Sequence, residues 1–304
     1  MAYVGSSQAL NDAETALDLT ELANKIYQET LFAFDRSCVF LNLIYNVTIS
    51  HGKSGQFIVG GKADGTRAGD YTAGTQVDVS ISPSSERTIV LGRPQYVAER
   101  LDQFEEKMAQ FPVRSIITQN HGQDLAIQLD KAIAAKIEAA SLDTGLVGNG
   151  DGAVITNTVI ASGATTAAKG VALMEAIYEC TAHIRGNDYK GELNVAVSPT
   201  NYNLLVLSEI LVDTDVTSGN GGLDSGRIGL VGNVKVVESN NLPATANLEA
   251  LVFGREAVGV LTLVGMTTDQ DRQVDFLGAT LMTAYYMNGI DILRPAVACS
   301  IKSA

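Results

Sequence analysis

The chain has no tryptophan, three cysteines, three histidines and six prolines in 304 residues. Cys38, Cys180 and Cys299 are widely spaced and form no CxxC pair. So sparse and odd a set argues against a disulfide framework and against a zinc site. Each cysteine is expected to be small apolar filler in a reducing cytoplasm. His51, His121 and His183 stand far apart without an evident ligand partner, so structural or solvated roles are expected for them. No apolar run approaches the ~20 residues that span a bilayer. No basic segment followed by an apolar one stands near residue 1, which leads us to expect a cytoplasmic chain with no membrane association. Asn46-Val47-Thr48 matches a glycosylation sequon, but without a secretion signal it carries no meaning.

Positive charge is also scarce. Twenty-one Lys and Arg face 34 Asp and Glu, a net charge of −13, which excludes a broad basic nucleic-acid-binding surface. The acidity is uneven. Residues 146–275 hold 15 acids and 7 bases, whereas residues 51–94 hold 4 acids and 5 bases. That contrast fits an arm lying on a neighbour's acidic face, and it fits simple solubility equally well. With 46% hydrophobic residues the chain is too apolar for disorder and long enough for one large or two medium domains.

The chemistry of catalysis is missing as well. Gly52-Lys53-Ser54 imitates the end of a phosphate loop, but the glycine required five residues earlier is Val47 and no helix follows. Gly148, Gly150 and Gly152 follow a helical segment, where a dinucleotide fingerprint needs a strand. Asp143, Asn149 and Asp151 lack the glutamate that closes a calcium loop. No serine lies in GxSxG. The pairs Glu105-Glu106 and Asp269/Asp271 read as solvated faces. Neither a catalytic set nor a cofactor is expected.

What is present begins with residues 51–140. Phe57 and Val59, then Val77, Val79 and Ile81, alternate at period two between Gly-Gly, Asp-Gly and Ser-Pro turns, and Thr88–Leu91 returns to the body. The Gly60–Gly74 tip is rich in Gly, Asp and Thr. A long hairpin with so few apolar residues has little core of its own, so cover on a neighbouring molecule is expected. Before it, Leu17, Leu22, Ile26 and Leu31 suggest an amphipathic helix, and Val39–Ile49 a buried extended segment. After it, Pro94 is expected to open a helix carrying Leu101, Phe104 and Met108, ending near Phe111-Pro112. Val113–Ser141 then reads as a spine helix with Leu125, Leu129, Ile133 and Ile137 at strict i, i+4 spacing.

Beyond the glycine-rich break at 145–152 the elements alternate. Thr165 or Thr166 caps a helix bearing Val171, Met174, Ile177 and Ile184. Leu193–Val197 is a strand, and Pro199 opens a short helix. Strands follow at Val234–Val236 and Leu251–Phe253, then a turn or short helix at Arg255–Val260. Met266–Phe276 and Val297–Ile301 are strand-like, with an apolar stretch at Leu277–Met287 between them. Sheet and helix in mixed order make the fold class α+β.

Several segments in order carry a resemblance: GKSGQF at 52–57, ERTIVLG at 86–92, FPVRS at 111–115, QNHGQDLAIQLDKAIAAKI at 119–137, VFGREAVGVLTL at 252–263 and ILRPAVACSI at 292–301. They resemble the major capsid proteins of T-seven-like podoviruses, from about Leu10 onward and most weakly over 146–230. The resemblance implies the Hong Kong 97-type phage capsid fold. Its parts would be an N-terminal arm at 1–50, an extended loop at 51–93, a peripheral domain with spine helix at 94–145, an axial domain at 146–263, and peripheral return strands at 264–304. It also implies hexamers and pentamers closing an icosahedral shell, with a scaffolding protein, a portal and packaged double-stranded DNA as partners. Relatives that cross-link their shells use a loop lysine, and Lys53 and Lys62 are the loop lysines here, but that chemistry is not expected. Lys53, Lys62, Arg67, Arg87 and Arg93 are the expected intersubunit contacts. The alternatives are an encapsulin-like cargo shell of the same fold and a soluble α/β enzyme.

Overall fold

The structure, a computed structural model, describes residues 25–60, 70, 72–74, 76, 84–108, 113–145, 150–161, 163–208, 223–224, 227–228, 230–231, 234–245, 247–276 and 278–304. The contacts divide the chain into two compact units. One comprises Met1–Cys38, Gly92–Leu129 and Leu263–Asn288; the other comprises Val39–Leu91, Asp130–Thr262 and Gly289–Ala304.

In the first unit, helix α1 (25–37) lies close to α3 (Val113–Leu142). Gly122 makes this approach possible, because a Cβ there would stand 2.5 Å from the Thr30 carbonyl oxygen and 2.9 Å from Ala33 Cβ. Strand β4 (Gln95–Leu101) pairs antiparallel with the first half of β13 (Ala279–Ile292), Leu101 opposite Thr280 and Gln95 opposite Tyr286. This corrects the helix expected from Pro94. Only α2 (Gln103–Met108) is helical, because the ladder offered by β13 satisfies the backbone of 95–101 and outweighs the helix propensity of its Ala, Glu and Arg. Ile26, Leu101, Ile117 and Met282 form a buried cluster, joined by Val113.

The second unit is built on a six-stranded sheet. Its strands are β5 (Ala153–Asn157), β14 (Ala298–Ser303), β11 (Leu248–Gly254), β6 (Leu193–Val197), β10 (Val234–Glu238) and β9 (Leu230–Val231), in that spatial order. Pairings β5–β14 and β6–β10 are parallel; β14–β11, β11–β6 and β10–β9 are antiparallel. All five residues of β6 are buried, as expected of a central strand covered on both faces. Helix α5 (Thr166–Gly186) packs against β5 and β14, and against α6 (Pro199–Val206). Of the two threonines considered, Thr165 is the N-cap and accepts the Ala168 N–H; Ser198 likewise caps α6. A Cβ on Gly170 would lie 2.2 Å from the Leu204 carbonyl oxygen, so the α5–α6 approach also depends on a glycine.

The spine helix runs for 30 residues, about 45 Å at ~1.5 Å per residue. Its Leu125, Leu129, Ile133 and Ile137 stripe is buried throughout. Val39–Ile49 is mostly turn rather than extended, with only β1 (Tyr45–Thr48) forming a strand, parallel to the start of β12 (Val258–Gln273). Of the turn or short helix expected at Arg255–Val260, the turn is found, confined to Arg255–Ala257, and Val258–Val260 already belong to β12. The C-terminal strand β14 lies in the six-stranded sheet of the second unit, so 264–304 does not return as one piece to 94–145.

Two of the cysteines also depart from expectation. Cys180 of α5 and Cys299 of β14 form a disulfide across 119 residues, with Cα atoms 5.8 Å apart. Both are fully buried. Nothing in their spacing marks them as partners, because the fold alone brings α5 over β14. Cys38 is buried elsewhere.

Candidate functional site

The hairpin of β2 (Ser54–Gly60) and β3 (Ser84–Val90) has two unlike faces. The register sets Gly55 opposite Ile89, Phe57 opposite Arg87 and Val59 opposite Ser85 on one face. That face closes onto the body. Ile89 is fully buried with Leu261 and Leu293, and Val47, Ile49, Phe57 and Leu91 pack around them. The base of the hairpin therefore has a core of its own, which amends the expectation that it has almost none. Three apolar residues of the hairpin, Phe57, Ile89 and Leu91, suffice because β12, the β1 segment and the Leu293 turn supply the rest.

The other face holds Ser54 opposite Val90, Gln56 opposite Thr88 and Ile58 opposite Glu86. Here Ile58 is 83% exposed and Val90 64%. Two large apolar side chains on the outward face of a two-stranded ribbon form an unfilled contact surface. Tyr45, edge-to-face with Phe57 at 6.1 Å, borders a groove of about 520 Å³ that Ile58, Leu293, Arg294 and Glu256 also line.

The five expected contact residues are distributed as follows. Lys53 and Arg93 are exposed at the two ends of the hairpin base. Arg87 points to the body side of the hairpin, where its Nη2 donates to Asp143 Oδ2 at 3.1 Å, so this cation is engaged within its own chain. Lys62 and Arg67, together with Val77, Val79, Ile81 and most of the Gly60–Gly74 tip, lie outside the described residues, as do Leu17 and Leu22.

Several charges of the second unit are paired with one another. Lys302 meets Glu138 at 3.1 Å, and the Thr245 hydroxyl donates to the same carboxylate at 2.7 Å. Lys136 pairs with Asp291, and Arg294 with Glu256. Burial and the nearby Glu256 carboxylate raise the Tyr189 phenol above its ordinary value of 10.0. His121 lies in the first third of α3, buried, with Nε2 3.4 Å from Glu99 Oε2. His51 is exposed, and His183 lies in the last turn of α5. Among the described residues no group of three or more His, Cys, Asp or Glu is placed to hold a metal. No described helix is long and apolar enough to cross a membrane.

Sequence reasoning found the hairpin and missed which face is free. The period-two pattern was visible, but only packing against Leu261 of β12 and Leu293 shows that Phe57 and Ile89 turn inward while Ile58 turns outward.

Comparison with known proteins identifies the architecture. The chain is similar in structure to the capsid of the cyanophage P-SCSP1u, at 25% identity over 88% of each chain and a TM-score of 0.73. It is similar to the mature capsid of bacteriophage PhiM1 at 18% identity, over 88% of this chain and 87% of that one, with a TM-score of 0.70. The virus-like particle from Pyrococcus furiosus shares the fold at 12% identity, over 93% of this chain and all of that one, with a TM-score of 0.56. No curated protein matches the chain in sequence. The family model described as phage capsid protein matches residues 102–296, well over half of the chain. A capsid family is structural, which sets aside the soluble-enzyme reading. The chain belongs to the phage capsid protein family.

Proposed function

We propose that this chain is the major capsid protein of a tailed phage of the T-seven-like podovirus type. It assembles as hexamers and pentamers into an icosahedral shell around double-stranded DNA. The observation that carries the reading is the family match over 102–296, joined to a hairpin whose outward face leaves Ile58 and Val90 uncovered. In the shell that face lies over the adjacent subunit, and many contacts of moderate strength add up cooperatively. Lys53, Lys62, Arg67 and Arg93 supply charge to this contact, and Arg87 contributes by stiffening the hairpin base through Asp143. The division into arm (1–50), extended loop (51–93), peripheral domain (94–145 with 264–304) and axial domain (146–263) is part of this proposal. The grouping of 92–129 with 263–288 supports its peripheral part, and the place of β14 in the six-stranded sheet moves the terminal strand to the axial part.

A scaffolding protein and a portal are the assembly partners in a bacterial cytoplasm. DNA lies on the inner face without sequence-specific contacts, as suits a net charge of −13. Negative-stain microscopy of the chain expressed with a scaffolding protein tests the proposal. Closed shells of uniform size are expected, and uniform small particles would refute it. Shells that fill with protein and never with DNA in the presence of packaging components would favour a cargo compartment instead.

A further inference from the structure

The disulfide is the one covalent feature that the shell reading does not use. Cys180 sits on the buried stripe of α5 with Leu173, Ile177 and Ile184. Cys299 lies in β14, inside the sheet between β5 and β11. Their 119-residue separation means that folding itself creates the pairing. A chain made in a reducing compartment reaches this state as two thiols, since cytosolic thiols are kept reduced. The fold then holds the two sulfurs together in a dry site, which only local opening of α5 exposes to a water-soluble reagent.

Resting on the proposed assembly in a bacterial cytoplasm, we propose that Cys180–Cys299 is an oxidative lock closed after the subunit has folded and left the reducing cell. The oxidant is a low-molecular-weight disulfide such as glutathione disulfide. One cysteine thiolate attacks it, forming a mixed disulfide and expelling one glutathione thiolate. The second cysteine thiolate attacks the protein sulfur of that mixed disulfide and expels the other glutathione. The two cysteine protons finish on the two glutathione thiols, the protein is oxidised by two electrons, and the glutathione disulfide is reduced by two. Burial then shields the bond from reductant as it had slowed the oxidant. The lock ties the principal helix of the second unit to a central strand of its sheet, so it adds resistance to unfolding without altering any outward contact.

Thiol counting on the full-length chain tests this directly. Cells are lysed into N-ethylmaleimide and denaturant, and the labels per chain are read by mass spectrometry, before and after prolonged exposure of the native protein to glutathione disulfide. Three labels are expected at lysis and one after oxidation, with a Cys180–Cys299 linked peptide recovered and Cys38 carrying the remaining label. One label already at lysis would overturn the timing, and three labels after oxidation would overturn the lock. Oxidation is also expected to raise the thermal unfolding midpoint of the wild type and to leave Cys299→Ser and Cys180→Ala unshifted. A rise in both variants would assign the effect elsewhere. Microscopy of the same sample separates the two ideas, because a chain that forms no shells but passes from three labels to one refutes only the shell.

Discussion

The carboxylate of Asp130, fully buried in the spine helix, accepts the backbone N–H of Val39 at 3.0 Å, although the two residues are 91 positions apart. The same side chain accepts from the Phe40 N–H at 3.2 Å and from Asn241 Nδ2 at 3.3 Å. It thereby holds the turn that places Phe40 against Phe253, ring centroids 6.0 Å apart. Asp130→Ala orphans the buried Phe40 N–H and the half-buried Val39 N–H and is expected to cost on the order of 3 kcal/mol. Asp130→Asn keeps one acceptor and should cost about half as much. Urea unfolding of the unassembled subunit measures both, and an Ala variant within about 0.5 kcal/mol of wild type would show that the carboxylate does not secure the turn.

Alkaline pH should expose the Tyr189 environment. Burial first, and Glu256 second, raise its phenol above 10.0. The folded chain therefore keeps this proton after the unfolded chain has released it. Its contribution to stability is complete below pH 10 and is lost as pH climbs from there through the higher folded value. Tyr189→Phe removes that loss. The test is the urea midpoint followed from pH 8 to pH 11, where the variant should fall less steeply than wild type. Parallel curves would deny the residue any part in the alkaline transition.

The elements most legible in the sequence were those whose pattern is local. The Leu125, Leu129, Ile133, Ile137 stripe and the helix start at Pro199 depend only on neighbours along the chain. Strand β4 was not legible, because its residues favour a helix until β13 returns from some 180 residues later to pair with them. The Cys180–Cys299 bond and the inward turn of Ile89 have the same cause, a partner supplied by tertiary structure.

Ionic strength should govern assembly. Residues 146–275 carry 15 acids against 7 bases, and a closed ring of subunits concentrates that excess. Raising salt from ~0.01 to ~0.15 M shortens the screening length from about 30 Å to about 8 Å. Shell yield by sedimentation is therefore expected to rise over that range, and further with a divalent cation. A flat or falling yield would mean that repulsion among these acids does not limit closure.

The two faces of the hairpin separate folding from assembly. Ile89 is fully buried beside Leu261 and Leu293, so Ile89→Ala should cost the subunit about 2–4 kcal/mol. Ile58, 83% exposed two residues from the hairpin's described end, should tolerate Ile58→Ser within about 0.5 kcal/mol. Yet if the outward face lies on a neighbour, the second change removes an apolar contact at every copy of the interface and should sharply lower shell yield. Arg87→Ala breaks a pair whose members are about 30% exposed, and should cost the subunit only ~0.2–1 kcal/mol. Lys53→Ala and Arg93→Ala should leave unfolding unchanged and lower yield. Urea midpoints and sedimentation on the same preparations give both readouts. If Ile58→Ser assembled normally, or if Lys53→Ala and Arg93→Ala cost the subunit as much stability as Ile89→Ala, the outward face of the hairpin would not be an assembly surface.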